Sequence, residues 1–175
     1  NGVKTLGLLR HAKSDWGQSN QRDFDRGLNA RGRRGAVLMG EHIRTHPPVW
    51  DKLIASPAER VKQTLAGADI GLDPIWKEGL YLASTDTMFE ILRAVEGDAV
   101  LLTGHNPGLE NMILELVAPS RENALFDEAK IKFPTAAYAV IDLAIDQWRN
   151  IRPECGTLVH FKRPRDLDPA LGPED

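Results

Sequence analysis

Three short apolar runs, at residues 5–9, 53–55 and 99–103, each lead into a helix-forming pattern, and this alternation limits the chain to few folds. Runs of that length bounded by polar residues or Gly suit buried strands. After the first comes a polar loop and then an amphipathic stretch over 31–45, with Ala36, Met39, Gly40 and Ile43 on one face. Asn29 can cap its start, and Pro47-Pro48 stops it. After the second run, Ser56-Pro57-Ala58-Glu59 reads as a capping box with Pro at the first helical position, followed by Val61, Leu65 and Ala68 on one face. After the third, Asn106-Pro107 precedes Leu109, Met112, Ile113 and Leu116 at helical spacing, and Pro119 ends the pattern. A further helix is predicted over 86–95, capped by Thr85 and closed by Gly97, and late strands over 136–143 and 157–162. Strands alternating with helices predict an α/β layer fold with a largely parallel central sheet.

Composition narrows the class. With 175 residues, 42% hydrophobic and 27% charged, the chain suits one ordinary globular domain, over 1–163. From Pro164 it turns rich in proline and acids, so 164–175 reads as a loose tail. The formal net charge of -3 lacks the basic excess of a nucleic-acid binder. The lone cysteine, Cys155, excludes an intrachain disulfide and a multi-cysteine zinc site, which suits the reducing cytoplasm. No apolar run is long enough to span a bilayer, and no charged-then-apolar signal segment opens the chain.

In open α/β sheets, ligands bind outside the carboxyl ends of the strands. At those ends the sequence places Arg10-His11, then Ser56 with Arg60 one turn into the next helix, then Gly104-His105-Asn106. A cation in a first helical turn opposes the helix dipole, by roughly 0.3–1 kcal/mol if exposed. Arg60 can pair with Glu59 or solvent, or share an anion with the free N–H groups of the helix start, as phosphate sites do. Its company of Arg10, His11 and His105 favours a phosphate pocket. One histidine can then attack phosphorus as neutral imidazole, and the other can donate to the phosphoryl group as a cation. With enough cationic donors no metal or other cofactor is needed.

Other phosphoryl-handling signatures are absent. The chain has neither G-x-x-x-x-G-K-[ST] nor G-x-G-x-x-G. Six residues past Cys155 stands Phe161, not the Arg of a cysteine phosphatase. Asp23-Phe24-Asp25 lies in a polar loop, not at a strand end, and Asp166-Leu167-Asp168 lies in the tail. His42 and His46 have metal-ligand spacing, but a histidine in a last helical turn is already favoured by the dipole. Trp16, Trp50, Trp76 and Trp148 read as core or rim residues. Lys13 and Arg26 could reach a substrate or only solvent. The segment 120–134 could flank the pocket or merely link elements.

Four motifs in order, Arg10-His11-Ala12-Lys13-Ser14-Asp15-Trp16, Leu28-Asn29-x-Arg31-Gly32, Ser56-Pro57-Ala58-x-Arg60-x-x-Gln63-Thr64 and Gly104-His105-Asn106-Pro107, resemble the histidine phosphatase superfamily, also called phosphoglycerate mutase-like. The wording is most similar to its small SixA-type branch of phosphohistidine phosphatases. The resemblance implies a three-layer phosphoglycerate mutase-like fold, with helices on both faces of the sheet. It implies that His11 is the nucleophile, that Arg10 and Arg60 bind phosphoryl oxygens, and that His105 is the second histidine. Asn106 would lie beside them in the substrate-binding set. The Gly of the family's R-H-G is Ala12 here, as in the small branch. Acid phosphatases of the superfamily carry Asp after the second histidine, where this chain has Asn106. Mutase-like members take a Glu from an inserted segment; 67–98 is short, and Glu78 is the candidate acid.

A weak acid supply has a consequence for substrate. An alkoxide leaves poorly without a proton, whereas the conjugate acid of imidazole has a pKa of ~6.5 and leaves phosphorus readily. The expected partner is therefore a phosphorylated protein bearing phosphohistidine, or a small phosphate compound, and neither nucleic acid nor a membrane. A phosphomonoesterase on a small metabolite and a non-catalytic phosphate-binding module are the alternatives.

Overall fold

The computed structural model describes residues 3–172. The elements run β1 (Lys4–Arg10), α1 (Ala30–Thr45), β2 (Lys52–Ala55), α2 (Glu59–Ala68), β3 (Ile75–Trp76), α3 (Thr85–Arg93), β4 (Ala99–Gly104), α4 (Gly108–Leu116), α5 (Ala124–Ile131), β5 (Tyr138–Leu143), β6 (Gly156–Lys162) and α6 (Pro164–Leu167). The strands form one sheet in the order β3-β2-β4-β1-β5-β6. β1, β2, β3 and β4 are mutually parallel; β5 pairs antiparallel with β1, and β6 antiparallel with β5.

Side chains alternate across the sheet, as the pleat requires. Leu6, Leu8, Ile54, Val100, Leu102, Ala139 and Ile141 face one apolar cluster, shared with Met88 and Leu92 of α3, Leu109 and Ile113 of α4 and Phe126 of α5. Leu9, Leu53, Leu101, Tyr138 and Val140 face the other, shared with Met39 and Ile43 of α1 and Val61 and Leu65 of α2. Burial on both faces explains why the central strands read as continuous apolar runs. The result is the three-layer α/β architecture expected.

Several local expectations fail for identifiable reasons. Ser56 does not cap α2. The helix begins at Glu59 behind Ala58 with no side-chain cap, two residues later than the pattern places it, and the Ser56 hydroxyl accepts only from the N–H of Ala58 itself. Ser84, not Thr85, caps α3, accepting from the Thr87 N–H. The segment after Pro119 is no mere link: Asn123 caps α5, accepting from the Phe126 N–H at 2.9 Å. β3 was too short and exposed to show a pattern. The loose tail from Pro164 is not observed as far as Gly172. Asp166 accepts from the Arg163 N–H at 2.8 Å, Asp168 pairs with Arg34 of α1, and Leu167 packs on the α1–α2 cluster. Acids that read as solvent-seeking are caps and counter-ions for α1; residues 173–175 of the expected tail lie outside the described residues.

Candidate active site

Strand register brings the site together. Arg10 is level with Gly104 across β1 and β4, and Ala55 with Thr103 across β2 and β4. The pairing continues one residue further, with the His11 N–H donating to Gly104 O and the Ser56 N–H to Thr103 O, each at 3.1 Å. His11, Ser56 and His105, far apart in sequence, therefore leave the sheet side by side. The two imidazoles lie 5.4 Å apart between ring centres, tilted by 54°.

The hydrogen bonds assign each ring its tautomer. Nδ1 of His11 lies 2.7 Å from the Ala12 carbonyl oxygen, which can only accept, so Nδ1 carries the proton and Nε2 the lone pair. Burial, then the nearby Arg10 and Arg60 charges, depress the His11 pKa well below its ordinary value against the raising effect of that hydrogen bond. His11 is thus a neutral base whose free lone pair is on Nε2. His105 Nε2 lies 2.7 Å from the Ser56 hydroxyl. That oxygen already accepts from the Ala58 N–H at 3.3 Å, so its own proton is best used by donating to Nε2. The His105 proton then sits on Nδ1, a buried atom with no hydrogen-bond partner among the described residues. Burial and the Arg60 charge lower the His105 pKa to about 3. This revises the expected cation: a neutral His105 already presents an N–H donor.

Arg60 is 3% exposed, and its partner is neither Glu59 nor solvent. It donates through Nη1 to the Asp23 carbonyl at 2.8 Å and through Nη2 to the Asp23 carboxylate at 3.1 Å. Arg26 and the Tyr81 hydroxyl donate to the same carboxylate. Burial alone would raise the Asp23 pKa, but the hydrogen bonds from Tyr81, Arg26 and Arg60 outweigh it and hold the group well below the usual carboxylate range. Tyr81 stacks edge-on against His105 at 5.5 Å, and exposed Trp16 covers the Arg26 guanidinium at 3.6 Å. Arg10 and Asn106 both donate to the Phe133 carbonyl, at 3.2 and 2.8 Å, which ties the approach to β5 onto the site.

The motif residues around these groups have mechanical roles. Thr64 accepts from the Ala12 N–H at 2.8 Å, and Gln63 from the Leu28 N–H at 2.8 Å, so α2 holds both ends of the loop carrying Asp23. Gly32 lies so close to the Lys13 carbonyl that a Cβ would overlap it.

Of the expected site residues, Arg10, His11, Arg60 and His105 come together, His11 lying beside the His105 ring and feeling the charges of Arg10 and Arg60. Asn106 lies beside them with its amide spent on backbone, the nitrogen on Phe133 and the oxygen accepting from the Glu110 N–H. Glu78 is not brought in: it stands exposed in the turn Glu78–Leu80 and makes no side-chain hydrogen bond or ion pair among the described residues. Sequence reasoning missed the roles of Asp23, Tyr81 and Ser56. Asp23 sat in a loop without periodicity, and only the unfavourable placement of Arg60 signalled that some anion was near. His42 and His46 lie elsewhere, His42 Nε2 being 2.9 Å from His160 Nε2 on β6. No group of His, Cys, Asp or Glu suited to hold a metal ion occurs among the described residues.

Comparison with known proteins bears on the family and the fold. A family model, the histidine phosphatase superfamily (branch 1), matches residues 6–81. An uncharacterized protein of Mycobacterium leprae (strain TN) is 32% identical over 162 residues, covering 90% of this chain and 100% of the relative. One of Mycobacterium tuberculosis (strain ATCC 25618 / H37Rv) is 36% identical over 161 residues with the same coverage. Among solved structures, SixA from Nakamurella multipartitia superposes with a TM-score of 0.82 at 30% identity, over 94% of this chain and 98% of that one. The protein histidine phosphatase SixA complexed with tungstate superposes at 0.74 and 20% identity, over 94% and 99%, and shares the fold.

Proposed function

The chain belongs to the histidine phosphatase superfamily, in its SixA-type branch, and is a phosphatase; we propose that it hydrolyses protein phosphohistidine through a covalent phosphohistidine on His11. The observation that carries this reading is the state of Asp23. It is a carboxylate near enough to His105 to act on its charge, and three donors keep it ionised, so it has no proton to give a leaving group. Asn106 cannot supply one as an acid, and Glu78 is exposed and makes no side-chain hydrogen bond or ion pair among the described residues. Such a pocket suits a leaving group that needs no strong acid.

The chemistry divides into two displacements. In the first, the Nε2 lone pair of His11 forms a bond to phosphorus as the P–N bond to the substrate histidine breaks. The substrate ring departs with that electron pair as neutral imidazole, its other nitrogen having taken a proton from solvent. In the second, water forms a bond to phosphorus, the P–Nε2 bond breaks and its pair returns to His11. The proton lost by water passes to solvent, and inorganic phosphate leaves. Arg10 and Arg60 balance charge on the phosphoryl oxygens, and His105 donates to them through Nδ1–H. Arg60 retains N–H groups beyond the two spent on Asp23, since guanidinium has five. With these donors the reaction is metal-independent. We place it in the cytoplasm, where a lone buried thiol such as Cys155 stays reduced; no described helix is long and apolar enough to cross a membrane.

The test is phosphate release from a phosphohistidine-bearing protein and from an aryl phosphate, with chelator, for the wild type and His11→Ala. Release from the phosphoprotein that survives chelator and needs His11 is expected. Faster release from the aryl phosphate would shift the reading to a phosphomonoesterase. Phosphate binding without release from either would make the chain a binding module.

A further inference from the structure

Alongside the phosphoryl site runs a cleft of about 140 Å³ whose cations the mechanism does not use. It shares a wall with the site: Ala12 follows His11, and the Ala136 N–H donates to the His11 carbonyl at 2.9 Å. Its charged lining is Lys13, Arg31, Lys132, Arg163 and Arg165 against the single carboxylate of Glu128. A chain with a net charge of -3 has concentrated cations on one surface beside its active site. Arg163 is paired with Asp166 and lies 3.8 Å from Glu128, whereas Lys13, Lys132 and Arg165 have no carboxylate partner among the described residues.

We propose that this cleft docks an acidic, partly apolar segment of the phosphoprotein substrate, an inference that rests on the protein-phosphohistidine reading above. Two features favour a polypeptide over a small anion. The cations come from four separate stretches: the loop after β1, the first turn of α1, the end of α5 and the chain after β6. Apolar side chains stand among them, Ile131 at 81% exposure and Leu171, which offer nothing to a small hydrophilic anion and suit the apolar residues of a peptide. Charge complementarity of this kind selects partners and speeds encounter. It would place the phosphohistidine of a neighbouring helix or loop over His11.

The probe is a short fluorescein-labelled peptide of alternating Glu and Leu, followed by fluorescence anisotropy. The proteins are the wild type, Lys132→Glu and the double variant Lys132→Glu/Arg165→Glu. The expected result is saturable binding to the wild type that weakens with salt and falls about tenfold in the double variant. On a phosphohistidine-bearing acidic protein, KM should rise by a similar factor while kcat holds. Thermal melting and aryl phosphate hydrolysis report whether the variants keep their fold and site; if the double variant unfolds, Lys132→Glu alone carries the test. Equal binding by all three proteins, or no binding, overturns the proposal. So does displacement of the peptide by citrate at equal charge concentration, which would mark a small-anion site. Charge-dependent peptide binding with no phosphohistidine hydrolysis would instead sink the substrate reading and leave the acidic-peptide cleft standing.

Discussion

A histidine attacks phosphorus only through a nitrogen that carries no proton, and in this site a backbone carbonyl makes that choice for His11. Because its folded pKa is depressed, the neutral form persists below the ordinary pKa of ~6.5. The acid limb of kcat/KM for the free enzyme should therefore fall below pH 6.5; a limb at or above that value would show that burial does not govern His11. Ser56 acts one step back, by holding His105 in the Nδ1–H form. Ser56→Ala should lower kcat about tenfold with little change in fold, because the wrong tautomer offers no donor. An unchanged kcat would dismiss the tautomer argument. Asp23→Asn should lower thermal stability, since Arg60 and Arg26 lose their counter-ion, and added inorganic phosphate should then stabilise the variant more than the wild type. Equal stabilisation would mean that Asp23 and phosphate do not share Arg60. His11, His105, Arg10 and Arg60 were legible because each stands next to a strand-like run or a helix start. Asp23 and Tyr81 were not, since a loop residue and a turn residue meet only after folding.

At the level of elements, the site is a product of register. The parallel pairing of β1 with β4 and of β4 with β2 brings His11, His105 and Ser56 level, and α2 then clamps the intervening loop through Gln63 and Thr64. The start of α1 closes against that loop at Gly32, whose missing Cβ lets the helix meet the Lys13 backbone. Gly32→Ala should cost roughly 1–3 kcal/mol in urea unfolding, with loss of activity as the loop shifts. A variant as stable as the wild type would show that α1 can retreat freely. The capping-box expectation failed at this scale. Ser-Pro-Ala-Glu satisfies the local pattern for a helix start, but the helix starts two residues later, and the hydroxyl at the carboxyl edge of β2 meets His105. The local pattern carries no information about that partner.

For the whole molecule, the buried and stacked imidazoles set the response to acid. His42 is pushed down to about 4 by burial and by the neighbouring His46 and His160, and His160 is lowered by burial and Lys162. His42 Nε2 and His160 Nε2 share one proton across 2.9 Å, tying α1 to β6. A group with a depressed folded pKa binds more protons when unfolded. Its stabilising effect is complete above ~6.5 and is lost as pH falls from there toward about 4. Urea midpoints should fall across that window, and His42→Gln should flatten the decline; a flat wild-type profile would refute this assignment. Alternation of apolar runs with helical patterns determined the α/β layer class from the sequence alone, because strand and helix periodicities are local properties; the three-layer arrangement came from the family resemblance. The sequence also placed two histidines and two arginines at one sheet edge, because residues that follow strands leave the sheet together. Only the tertiary structure decided which His11 nitrogen is left with the lone pair, which anion Arg60 holds, and that residues 164–172 fold back along α1. Those outcomes depend on contacts between segments remote in the chain, where one hydrogen-bond partner displaces another and no local pattern records the winner.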